Sequence, residues 1–342
     1  MVALYIASLE EAAGRTALCL GIAQRLLETG KRVGFLKPVL VDHEPPASGA
    51  GDEDTVFLKK ALNLKGPDGA PLSLTLKELE KALAGEDKGF DKKLKDALSS
   101  ASSGKDVVIL EGLSGQVQAS AEIARRLGAK SLLVARYKRG LAEELAIATQ
   151  KFDSALLGVV INAVPANRME AASALATGGI KLLGIIPQDR RLLAMTVGEL
   201  AQYLGGQILN GDGGLDELVE NLMVGALCLD PAPLYLNRRA NKAVITRSGR
   251  SDVQLAALET PTRCLVLTGD TDQPNLQVMI QAEEKGVPII QVEPDTLDIL
   301  TSLEGALSQV RFRQEKKMGR LQELMHEHFD FEALSRGLGL AS

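Results

Sequence analysis

A doubly wound α/β unit with a mostly parallel sheet, followed by a second, smaller α/β unit, is what this 342-residue chain predicts. Three observations carry that expectation. Short, near-continuous apolar runs alternate with amphipathic helical stretches from start to end, as when buried strands are joined by crossover helices. The composition is 45% hydrophobic and 24% charged, an ordinary globular balance. The stretch 205–214 (GGQILNGDGG) holds five glycines and divides the alternation in two.

The first unit, 1–205, offers strands at Val2–Ser8, Val33–Val39, Asp106–Glu111, Ser131–Ala135, Ala155–Asn162 and Lys181–Pro187, each rich in Val, Ile and Leu. Helical periodicity falls between them, at Arg15–Thr29, Thr55–Asn63, Phe90–Ser99, Ala119–Leu127, Leu141–Lys151 and Arg168–Ala176. The mixed-charge stretch Gly85–Lys105 reads as a solvated helix. Residues 206–214 read as a linker. The second unit, 215–330, offers strands at Leu222–Leu229, Ala243–Thr246, Cys264–Thr268 and Pro288–Val292, and helices at Val253–Glu259, Leu276–Lys285 and Asp295–Leu303. Phe312–Phe329 is a charged amphipathic helix, and 331–342 reads as a loose polar tail.

The net charge of −5 argues against a nucleic-acid partner, which needs a basic face. No apolar run approaches the ~20 residues of a membrane helix. Met1–Tyr5 has no basic leader and runs straight into a strand, so a cytoplasmic location is expected. Cys19, Cys228 and Cys264 sit in apolar runs and read as buried small hydrophobes in a reducing compartment. His43, His326 and His328 lack the spacing of a zinc site.

The turn after the first strand, Ser8-Leu9-Glu10-Glu11-Ala12-Ala13-Gly14-Arg15-Thr16, stands where strand, loop and helix N-terminus cradle phosphate in a P-loop. Gly14 and Thr16 fit the G-K-[ST] ending, and Thr16 offers a hydroxyl to Mg²⁺. Arg15 replaces the lysine, and Ser8 or Leu9 stands where the leading glycine belongs. A planar guanidinium cannot place one compact charge between phosphates as an ammonium does. Glu10 and Glu11 bring negative charge to the phosphate position, and one reading has them occupy the helix N-terminus themselves.

Leu4–Thr16 followed by Val33-Gly34-Phe35-Leu36-Lys37-Pro38-Val39 resembles the start of dethiobiotin synthetase-like P-loop proteins, a group that includes cobyrinic acid a,c-diamide synthase and the N-terminal region of long phosphotransacetylases. Gly51-Asp52-Glu53-Asp54 resembles the family's D-E-D segment, and Val107–Gly112 its acidic Walker B-like strand end. Gly158–Asn162 resembles the strand whose Asn reads adenine, and Leu183–Pro187 the L-G-x-I-P strand beside the base. Beyond the glycines, Asn241–Thr246 and Gly249–Glu259 resemble a DRTGG domain, with Gly249 and Ser251 where the family pattern has Asp and Thr. Together the two resemblances run from Met1 to about Asp330 and leave no residues for an acetyl-transferring domain.

The resemblance implies ATP or another nucleotide with Mg²⁺ as ligand. Gly14, Arg15, Thr16, Lys37, Asn162 and Pro187 are then the nucleotide- and phosphate-binding residues, with Thr16, Asp54 and Glu111 as metal ligands. Asp52, Glu53 and Asp54 serve equally as helix caps, and Asn162 equally as a turn residue with Pro165. In the second unit, Arg250, Ser251, Asp252 and Gln254 suit a small polar ligand or anion; the alternative is a capping Ser251 beside a surface Arg250–Asp252 pair. The expected function is a nucleotide-linked regulator with little ATP turnover, forming homo-oligomers. The rival is an ATP-dependent amide- or ring-forming ligase, for which no cysteine lies at a strand-to-helix elbow as a glutaminase nucleophile would.

Overall fold

The computed structural model describes residues 1–41, 52–64, 71–211, 213–225, 232–269, 274–306 and 310–340. The chain divides into two compact units, Met1–Gln188 with Phe312–Ser342, and Asp189–Arg311.

The first unit opens with β1 (Val2–Ser8), α1 (Arg15–Glu28), β2 (Val33–Leu36) and β3 (Val39–Val41). The expected single strand Val33–Val39 breaks at Lys37-Pro38: Val33–Leu36 pairs with residues 107–110, and Val39–Val41 pairs instead with Leu72–Leu74. Then come α2 (Glu53–Ala61), β4 (Leu72–Leu74), α3 (Leu76–Leu83), α4 (Phe90–Ser102), β5 (Val107–Ser114), α5 (Val117–Arg126), β6 (Lys130–Arg136), α6 (Leu141–Phe152), β7 (Leu156–Val164), α7 (Met169–Ser173) and β8 (Leu182–Pro187). A six-stranded sheet in the order β2-β5-β1-β6-β7-β8 has every neighbour parallel. The order reverses direction at β1, which sets the loops after β1 and β5 side by side at the carboxyl ends, where doubly wound sheets bind ligands. α4 is amphipathic rather than solvated throughout: Phe90, Leu94, Ala97, Leu98 and Ala101 are buried.

The second unit holds β9 (Met195–Thr196), α8 (Val197–Leu204), β10 (Gln207–Ile208), β11 (Leu218–Val219), β12 (Asn221–Val224), α9 (Ala232–Leu236), β13 (Lys242–Arg247), α10 (Ser251–Leu258), β14 (Thr262–Thr268), α11 (Leu276–Glu284), β15 (Ile289–Val292) and α12 (Thr296–Ala306). Its five-stranded sheet runs β10-β15-β14-β13-β12, parallel except for β10. α9, α10 and α11 cover one face around Met223, Val253 and Val278. α8 and α12 cover the other around Leu200, Ile299 and Leu303. The expected strand Leu222–Leu229 ends at Val224; Cys228 falls outside the described residues, as do His43 and Gly51.

The structure draws the boundaries differently from the glycine count. The break falls at Gln188/Asp189. Gly206–Ile208 is no linker but enters the sheet through β10, and a β-carbon at Gly206 would stand 2.4 Å from Ile290. α13 (Met318–His328) and α14 (Phe331–Gly337) return to the first unit, so the end of the chain is neither part of the second unit nor a loose tail. Close approach explains the return. A β-carbon at Gly21 of α1 would stand 2.0 Å from the Met325 sulfur, and one at Gly184 of β8 would stand 2.9 Å from the His328 carbonyl oxygen. The gaps left by these glycines seat α13 against α1 and the edge of β8, where Asp330 donates its N–H to the Leu183 carbonyl at 2.7 Å.

Candidate functional site

The loop between β1 and α1 takes left-handed backbone at Ala12 (φ 50°) and Gly14 (φ 96°). A β-carbon at Gly14 would stand 2.2 Å from Asn162 Nδ2, so glycine is what lets the end of β7 reach the loop. The Asn162 amide donates to the Ala13 carbonyl at 2.8 Å, and its oxygen accepts from the Ala163 N–H at 2.9 Å. Asn162 therefore braces the phosphate loop. Pro187 lies at the end of β8, three strands from β1 in the sheet order.

The structure brings Thr16 and Glu111 together: the Thr16 hydroxyl donates to Glu111 Oε1 at 2.8 Å. Glu111 is 1% exposed, and its Oε2 has no hydrogen-bond partner among the described residues. Burial pushes its carboxyl above the usual carboxylate range, against the pull of Lys37 and Arg15, while Asp54 adds to the rise. The Arg15 guanidinium donates to the Gly112 carbonyl at the end of β5. Gly112 is required there by Tyr5, whose ring would stand 2.3 Å from a β-carbon.

Glu10 and Glu11 do not occupy the helix N-terminus. Glu10 accepts from the Arg136 backbone N–H and lies 3.5 Å from the Lys138 ammonium, so its charge is drawn toward β6. Glu11 is exposed. Among the described residues no side chain caps α1, and its first turn holds no acid. That end of the helix carries positive dipole, and the Glu111 carboxylate reaches its first turn through the Thr16 hydroxyl.

Opposite stands a charged cluster at the start of α2. Asp52 is the cap, accepting from the Thr55 N–H at 2.9 Å. Burial opposes its ionisation, yet Lys37 and Thr55 hold its carboxyl below the usual range. Lys37 lies 2.9 Å from Asp52 and 3.7 Å from Asp54. The capping role belongs to Asp52 alone. Asp54, 14% exposed in its side chain, is gripped by Arg313 Nε at 2.7 Å, while another nitrogen of that guanidinium reaches Glu53. Arg313 lies 259 positions away in sequence and carries no local motif, so nothing in the sequence pointed to it.

Thr16 and Glu111 bring oxygen donors together with one orphaned buried carboxylate oxygen, and Asp54 is near enough to act on the Glu111 carboxyl. Mg²⁺ is commonly held by one or two carboxylates together with substrate phosphates, so these residues fit it. Among the described residues no group of three or more His, Cys, Asp or Glu is placed to hold a metal ion by itself, as a zinc site would need. Cys19 and Cys264 are buried free thiols, Cys19 raised in pKa chiefly by burial.

In the second unit, Arg250 and Asp252 form a two-pronged ion pair at 2.9 and 2.8 Å. Ser251 is the first helical residue of α10 and does not cap it. Gln254 is fully buried and donates to the Arg247 and Ser248 carbonyls at 3.0 and 2.9 Å, clamping the loop after β13. Next to this loop lies a cleft of about 480 Å³ lined by Thr246, Arg247, Arg250, Asp295, Thr296 and Leu297, among others. Arg247 and Thr296 belong to it and were not singled out from the sequence.

With this geometry in hand, comparison with known proteins places the chain. The AAA domain family matches residues 2–196, more than half of the chain. The chain belongs to this family. A DRTGG domain matches residues 199–306, so a P-loop domain is followed by a DRTGG domain, as the sequence motifs implied. Phosphate acetyltransferase of Deinococcus radiodurans is 27% identical, over 96% of this chain and 50% of the relative. That of Pseudomonas putida is 26% identical, over 99% and 52%. The chain thus spans about half the length of the curated relatives it matches. Among solved structures, cobyrinic acid a,c-diamide synthase from Mycobacterium smegmatis with bound ADP and magnesium gives a TM-score of 0.35 at 17% identity, covering 56% of this chain and 88% of that one. The CBS and DRTGG domains of Clostridium perfringens pyrophosphatase give a TM-score of 0.31 at 12% identity, covering 45% and 76%. No helix of the described residues is long and apolar enough to cross a membrane.

Proposed function

We propose that this chain is a nucleotide-linked regulatory protein of the kind found in the N-terminal half of long phosphotransacetylases, binding Mg²⁺ with ATP or a related nucleotide and turning it over very slowly. One observation carries the reading: the buried Glu111 carboxylate holds Thr16 with one oxygen and leaves the other unpartnered, beside a helix start that no acid caps. An unmatched buried carboxylate oxygen is costly, and a cation is the partner that removes that cost. Bound Mg²⁺ would neutralise phosphate charge. Thr16, Glu111 and Asp54 would hold it, and Gly14, Arg15 and Lys37 would face the phosphates.

Slow turnover follows from Arg15. Its guanidinium is drawn to the Gly112 carbonyl, so no mobile ammonium stands on the loop to follow charge as it develops on a transferred phosphoryl group. The test is isothermal titration with ATP, ADP and AMP, each with and without Mg²⁺, beside a phosphate-release assay. Magnesium-dependent nucleotide binding with turnover far below about 1 s⁻¹ is expected. Turnover above that rate favours the ligase reading, and a flat titration with every nucleotide overturns both.

The second-unit cleft is the companion ligand site in this reading. Arg247, Arg250, Thr246 and Thr296 suit a small polar or anionic ligand. Cytoplasmic homo-oligomers complete the proposal, and light scattering at 36.4 kDa for micromolar protein counts against the oligomer.

A further inference from the structure

After Arg311 the chain leaves the second unit and enters the first. Its first residues there fasten onto α2. The Phe312 ring meets Phe57 edge-on with centroids 6.1 Å apart. Glu315 pairs with Lys60 at 2.9 Å. The Lys317 ammonium lies 5.9 Å from the Phe312 ring centre. Between these contacts Arg313 takes Asp54 Oδ1 at 2.7 Å, and Lys37 lies 3.7 Å from Asp54 Oδ2. Both oxygens of this carboxylate therefore face cations. A divalent ion needs one of those oxygens at close range, and a guanidinium bonded to the same oxygen stands in its way.

We infer that Arg313 is a displaceable stand-in for the metal at Asp54, and that residues 312–317 form a latch which binding of a metal–nucleotide complex opens. The inference rests on the nucleotide reading above. Two features make the exchange feasible. Arg313 is a third exposed, so water can receive its charge when it lets go, and the Glu315–Lys60 pair beside it is exposed as well. Competition for Asp54 is reciprocal: whatever holds the latch shut weakens the metal, and the metal weakens the latch.

The absence of tryptophan supplies a clean reporter. Phe312→Trp places a single indole on the latch. Titration with Mg·ATP is expected to shift its emission to the red, whereas ATP with a chelator leaves it unchanged. In parallel, Mn²⁺ binding in the presence of ATP is followed by electron paramagnetic resonance for the unaltered chain, Arg313→Gln and Arg313→Lys. Arg313→Gln should bind Mn²⁺ roughly two- to fivefold more tightly, with Arg313→Lys between, because a partly exposed charge pair no longer competes. Equal Mn²⁺ affinity in all three overturns the latch and leaves nucleotide binding standing, as does Mg·ATP binding that does not move the indole. If neither the unaltered chain nor Arg313→Gln takes up Mn²⁺ with ATP, the nucleotide reading fails and the latch with it. Should Arg313→Gln not fold, the reporter in the otherwise intact chain still decides.

Discussion

Replacing Gly14 with alanine should destabilise the first unit by about 1.5–3.5 kcal/mol, and the sum follows from the loop itself. An L-residue in the left-handed region costs about 1–2 kcal/mol, and Gly14 sits at φ 96°. The new β-carbon would also stand 2.2 Å from Asn162 Nδ2, so the amide must turn away. That breaks its 2.8 Å bond to the Ala13 carbonyl, a loss of about 0.5–1.5 kcal/mol. Hydrogen exchange of the β1 and β7 amides reads the first unit separately from the second, which a single denaturant curve does not. The decisive comparison is a double-mutant cycle with Asn162→Ala. If the clash matters, Gly14→Ala costs less once the amide is gone, and the pair falls short of additivity by about 1 kcal/mol. Strict additivity would show that backbone strain is the whole effect and that Asn162 does not brace the loop.

Glu111 gives a pH-dependent test. Its folded pKa is raised, so the stability it contributes is fully present below the ordinary glutamate pKa and is lost as pH rises through the folded value. Glu111→Gln should abolish that loss, so its stability relative to the unaltered chain should improve on going from pH 4 to 7, while its Mg²⁺-dependent nucleotide binding disappears. Lys242 behaves in the opposite sense. It is wholly buried, donates to the Thr260 hydroxyl at 2.8 Å, and burial lowers its pKa to about 8. The unfolded chain holds that proton up to about pH 10.4, so stability should rise between pH 8 and 10 by at most about 3 kcal/mol, a rise that Lys242→Met removes. Gly184→Val should cost about 1–3 kcal/mol and expose α13 and α14 to limited proteolysis, since its β-carbon meets the His328 carbonyl oxygen at 2.9 Å. Unchanged proteolysis would mean the edge of β8 does not hold the C-terminal helices.

Local signals were enough for the strands and helices that surround the site. β1, α1, β5 and β7 are long apolar or periodic runs whose burial on both faces or one stripe is written into residue order. The same residue order brought Thr16 and Glu111 to notice, because a hydroxyl after a loop glycine and an acid at a strand end each have a local mark. Which way Glu10 turns could not be read, since its partners, the Arg136 N–H and the Lys138 ammonium, come from a strand brought alongside only by sheet order. Short pieces such as β4 and β10 escaped for a related reason: strands of two or three residues have no period of their own and exist through the ladder beside them.

By itself, then, the sequence determined the two-unit α/β architecture, the site of the phosphate loop and the chemical types around it, because periodicity and turn chemistry act over a few residues. Tertiary structure alone decided where the units part and what closes over Asp54. A run of glycines marks flexibility in sequence, yet Gly206 is there to let a strand approach Ile290, and Gly21 and Gly184 make the gaps that draw the last helices back to the first unit. Arg313 reaches Asp54 only because that return carries it across 259 positions. Long-range contacts of this kind depend on shape complementarity between distant surfaces, and a single chain of letters read locally holds no measure of which surfaces will meet.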